Sequence, residues 1–112
     1  MALIADQLAT SMTAALPQAL QAAQITAGNL VADINKFAPN EIKKLASQLV
    51  AIEQGGFSEP LAKIMLKMQV DAFINVLIGM TDATMFHVQQ LINELLKIVA
   101  GVVNGALNFA LL

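Results

Sequence analysis

Residues 58–79 read SEPLAKIMLKMQVDAFINVLIG, and this stretch decides the fold. Ser58, Glu59 and Pro60 supply a cap, an acid and a first-turn proline, the usual opening of a helix. From there Glu59, Lys63, Lys67, Asp71 and Asn75 recur every four residues along one narrow line, with Gln69 the chief polar residue off it. Most of the remaining positions, including Leu61, Ile64, Met65, Leu66, Met68, Phe73, Ile74 and Leu77, are large and apolar. That period is helical, and so thin a polar stripe predicts burial on more than one side. Lys67 and Asp71 are spaced for an i,i+4 ion pair.

On the C-terminal side, Gly79-Met80-Thr81-Asp82 is a break, and Thr81 or Asp82 is predicted to cap a second long apolar helix over 82–112. Its polar line is Gln90, Glu94, Lys97, Gly101, Asn104 and Asn108. The fifteen residues after Lys97 carry no charge. They are short of the roughly twenty that span a bilayer, which speaks against a simple membrane anchor. Gly101 and Gly105 have the GxxxG spacing that lets helices approach closely in a membrane. Asn104 and Asn108 beside them suit either hydrogen bonds between subunits or a wet pore lining.

On the N-terminal side, Gly55-Gly56 is a helix stop, closing a surface helix predicted over 40–54. Ile42, Leu45, Leu49 and Ile52 form its apolar stripe, and Glu41 can pair with Lys44 at i,i+3 on the polar remainder. Phe37-Ala38-Pro39-Asn40 is read as the break before it. Residues 2–36 form an Ala-rich helical segment with ten alanines and no charge between Asp6 and Asp33. Pro17 within it either kinks a helix or opens a new one from its first turn. The expectation is a single all-α domain over 1–112, a small bundle or helical hairpin of about four to five helices, completed by oligomerisation.

Composition points the same way. The chain of 112 residues is 57% hydrophobic before glycine is counted and only 12% charged. Soluble domains run at roughly 45–50% with glycine included, and about a quarter charged. A single core cannot absorb such an excess in so short a chain, so some of it is expected to face a subunit, a lipid or a ligand. The absence of cysteine excludes a disulfide framework and thiolate metal sites. All six positive charges are lysines, and there is no Arg, Trp or Tyr, so association is expected to rest on broad aliphatic packing. A net charge of −2 without arginine leaves no footprint for nucleic acid. No cleavable secretory signal is visible, which implies a cytoplasmic protein or one exported by a leaderless route.

Sites for chemistry are sparse. His87 is the only histidine, with no His or Cys to complete a metal site and no motif placing it beside a serine and a carboxylate. Gly55-Gly56 follows a helix and precedes no strand, so it is not a phosphate loop. Neither catalysis nor a cofactor is expected. Met65, Met68, Met80 and Met85 are expected to pack in the core; the alternatives are an adaptable binding surface or a carrier holding an apolar ligand between the helices.

Lys67-Met68-Gln69 through Val88-Gln89-Gln90-Leu91, about a quarter of the chain, resembles the C-terminal helices of secretion-system rod and needle subunits. The resemblance implies an assembling helical class and assigns no residue a role. Together these readings predict a self-assembling helical subunit, a filament, rod, ring or obligate oligomer. Every charge except Asp6 lies between Asp33 and Lys97, so the two low-charge ends are expected to pack between neighbours. Val103, Leu107, Phe109 and Leu112 are the predicted contacts, opposite Ala15, Ala19 and Ala23, and Asp at 103 and 107 is expected to dissolve the assembly. The alternative is a membrane-active protein, pore-forming or lipid-binding, that opens its two apolar helices onto a bilayer.

Overall fold

The helical periods become five α-helices in the computed structural model, which describes residues 3–112: α1 (Ala5–Ala14), α2 (Leu16–Ala22), α3 (Gly28–Gly55), α4 (Glu59–Met80) and α5 (Met85–Leu107). The described residues contain no strand. Pro17 takes the role of helix opener, sitting in the first turn of α2 just after α1 ends. A second break follows that no glycine announces. Gln24 adopts a left-handed φ of 61°, and the Ile25 and Gln24 amides donate to the carbonyls of Leu20 and Gln21. This is a Schellman stop, sealed by Ile25, which is buried.

The break expected at residues 37–40 is absent. α3 runs through Pro39 as one helix of 28 residues, and the predicted 40–54 helix is its second half. Proline at 39 deprives the Asn35 carbonyl of its helical donor, but Asn35 is exposed and water can take its place. The apolar stripe also continues across the proline: Ile34, Ala38, Ile42, Leu45, Leu49 and Ile52 are all buried. Burial of one unbroken face holds both halves in a single helix. Glu41, expected on the polar side, is buried beside that stripe, with its carboxylate 3.2 Å from Lys44 Nζ. Gly56 stops the helix in the left-handed region at φ 63°.

At about 1.5 Å per residue α3 is roughly 42 Å long, which sets the 41 Å long dimension of the molecule. α4 folds back along it, and α1 also packs on it. α5 rests on α4, α2 and α1, with a smaller contact to α3. The chain's start is tied to the end of α3 by Leu3, whose amide donates to Glu53 Oε1 at 2.8 Å. The core runs the length of this bundle, from Met12, Leu16 and Leu20 through α3 to Phe73, Leu77, Leu91, Leu95 and Val103.

α5 begins and ends inside its predicted range of 82–112. Thr84, not Thr81 or Asp82, is its cap, accepting from the His87 amide at 3.2 Å. Thr81 instead donates to the Leu77 carbonyl and accepts from the Ala83 amide, closing the turn between the helices. Asn108 ends α5 in the left-handed region, and residues 109–112 fold back.

Candidate functional site

The residues expected to join subunits lie largely inside the chain's own fold. Val103, Ala19 and Ala23 are buried, and Ala15, Leu107, Phe109 and Leu112 are half-buried. The low-charge ends do meet, but within one molecule: α1 and α2 pack against α5. Apolar segments from opposite ends of the sequence satisfy each other, so charge depletion here marks an internal seam along their buried sides.

The polar line of α5 also divides. Gln90 and Glu94 are half-buried, while Lys97, Gly101 and Asn108 are exposed, and Lys97 Nζ lies 3.1 Å from Glu94. Asn104 has a local structural task that its spacing hid. Its Oδ1 accepts from the Leu111 and Leu112 amides at 2.9 and 3.0 Å, and its Nδ2 donates to the Leu112 carbonyl at 3.3 Å. The side chain thereby clamps the folded-back tail and buries Leu111. Asn108 is the αL residue that makes this reversal, a position asparagine tolerates well. A Cβ added at Gly101 or Gly105 would meet nothing within 4 Å, so the GxxxG spacing holds no neighbouring helix here.

Some apolar surface stays open at those ends, at Ile4, Ile98 and Val102, and more lies elsewhere. Leu61, Ile64 and Met68 of α4 are 44%, 57% and 68% exposed. At about 100° per residue they fall nearly opposite the buried Ala62, Leu66, Phe73 and Leu77. The line Glu59, Lys63, Lys67 and Asp71 runs along one flank between these two faces. Lys63 pairs with Glu59 at 3.7 Å and Lys67 with Asp71 at 2.8 Å, so that flank is charge-neutral. A second exposed group, Met80, Met85 and Phe86, surrounds the turn joining α4 to α5.

The methionines therefore correct the core expectation. Met68, Met80 and Met85 are exposed and Met65 is half-buried, whereas Met12 is fully buried. The first four positions sit where the apolar stripe of α4 outruns the width of its packing partners, or at the turn beyond it. Sequence alone cannot distinguish two apolar sides of one helix from one broad buried side. Exposure is not the result of an open fold. The accessible surface is 6066 Å², against about 5,900 Å² for a folded monomer of this mass.

His87 Nδ1 is buried without a hydrogen-bond partner, with the Phe86 ring 6.1 Å away. No group of three metal-binding side chains occurs among the described residues. Comparison with family models, with curated proteins and with solved structures finds no match to the chain.

Proposed function

We propose that the protein is a non-enzymatic helical subunit that associates with copies of itself through the outward face of α4. The observation behind this reading is the trio Leu61, Ile64 and Met68, left in solvent on a chain whose total surface is that of an ordinary compact monomer. Covering these three side chains on each of two copies is worth about 5–9 kcal/mol, since each is roughly half exposed. The freedom lost on association is about 4–15 kcal/mol. The pairing is therefore concentration-dependent, and extended assembly draws on neighbouring apolar groups such as Phe57.

Charge supports a second copy over an anionic lipid surface for this face. Glu59, Lys63, Lys67 and Asp71 sum to zero and are paired along the helix, so a like copy meets no net field. A helix that lies on lipid carries an excess of basic residues on its polar face, and α4 has none. Light scattering after size exclusion tests the reading over a range of concentrations. Mass that rises with concentration supports it, and a constant monomer mass at millimolar protein contradicts it.

A membrane-active role is the second reading, resting on a different part of the molecule. Met80, Met85 and Phe86 cluster at one turn, and α5, though packed on three helices, has the length and composition of a membrane-crossing helix. Dye release from liposomes that is abolished by Phe86→Asp favours this reading; release unchanged by that substitution, or none at any lipid composition, counts against it.

A further inference from the structure

We propose that the cavity between α4, the outer side of α5 and the folded-back tail binds a single-chain amphiphile with an uncharged, hydrogen-bonding head. The cavity has a volume of about 460 Å³, within the 300–1,000 Å³ of typical small-molecule sites. Its lining residues are graded by exposure. Leu66 and Leu111 are buried, Leu96, Ala100 and Leu112 are half-buried, and all five are apolar. Asn93 and Lys97 are exposed and form the mouth, with Gln90 and Glu94 between. An apolar floor below a polar mouth suits a molecule with an alkyl chain at one end and a polar group at the other.

The mouth also selects the head. Its one cation, Lys97, is paired with Glu94 at 3.1 Å, so the two charges cancel locally. A charged head must compete with that pair for its counter-charge, whereas an uncharged head does not. The amides of Gln90 and Asn93 offer donors and acceptors to hydroxyl or ester groups. The wall formed by Leu111 and Leu112 is held by the three hydrogen bonds to Asn104, so the cavity's shape depends on that clamp. Among the described residues no methionine lines the cavity, which separates this site from a Met-lined carrier.

Isothermal titration of the full chain with 1-monooctanoylglycerol, kept below micelle-forming concentration, tests the site, with octanoate and an octyl trimethylammonium salt as charged controls. One-to-one saturable binding, at least tenfold tighter for the glyceride than for either control, is expected. Ala100→Phe fills the cavity and is expected to weaken binding at least tenfold. Asn93→Leu, at an exposed position that leaves the core untouched, is expected to weaken it several-fold, and decides the matter if Ala100→Phe fails to fold. Absence of saturable binding overturns the proposal, as does equal binding by the charged amphiphiles. Binding unchanged in a folded Ala100→Phe, or in Asn93→Leu, does so as well. None of these outcomes depends on self-association, which light scattering of the same samples reads separately.

Discussion

α4 and α5 are of similar length and both strongly apolar, yet they are enclosed to different degrees. α5 is packed by three helices, touches a fourth, and has its own tail clamped beside it. Its charge-free last turns contribute Val99 and Val103 to the core. α4 is the better charged of the two, with two ion pairs along it, yet it presents Leu61, Ile64 and Met68 to solvent. The charge-free end of α5 thus has a buried side that closes the fold and an outer side where Ile98 and Val102 are exposed. The uncovered face of α4 lies beside a line of paired charges.

The difference can be broken first at the buried end. Val103→Asp places a carboxylate at a fully buried position, and an unpaired charge there is expected to cost on the order of 4 kcal/mol or more. Urea unfolding followed by circular dichroism should show a lost or strongly shifted transition. Leu107→Asp, at a half-buried position, should cost clearly less. A stable, merely smaller particle in Val103→Asp would restore the terminal seam as an interface between subunits.

The clamp comes next. Asn104→Ala removes three hydrogen bonds and leaves the tail amides unpaired, at an expected cost of about 1–3 kcal/mol. Hydrogen exchange should then quicken at Leu111 and Leu112 before it does elsewhere. Smaller still are Gly101→Ala and Gly105→Ala. Both positions have open space for a Cβ, so each substitution should stabilise α5 by about 0.5–1 kcal/mol. A drop in assembly mass in either variant would mean that a neighbour packs on those glycines after all.

How much of this was legible follows from the kind of signal each element carries. The opening of α4 at Ser58-Glu59-Pro60 and the stop at Gly55-Gly56 both stand within a residue of their predicted places, although Ser58 holds the N-cap position without a side-chain capping hydrogen bond. The pairs Lys67–Asp71 and Glu41–Lys44 follow from helix geometry and form as expected. Pro39 misleads because its local cost is outweighed by a stripe that is long-range in origin. Gln24 misleads in the other direction, since a left-handed stop without glycine has no residue signature. The spacing of Asn104 places it on the polar line of α5, but its work is done on a tail seven and eight residues away, which a periodic pattern does not encode. The candidate surface was the least legible part. Met68 reads alike whether it points into a core or out of one, and only the number of helices around α4 separates the two.

The most direct measurement is the mass of the double variant Ile64→Asp, Met68→Asp beside that of the unaltered chain, by light scattering after size exclusion at matched concentrations. Both positions are exposed, so the melting temperature should hold, with a stability change within about 0.5 kcal/mol at each site. The result expected is a concentration-dependent mass for the unaltered chain and a constant monomer mass for the variant. Equal masses for the two at every concentration would contradict association through the outward face of α4.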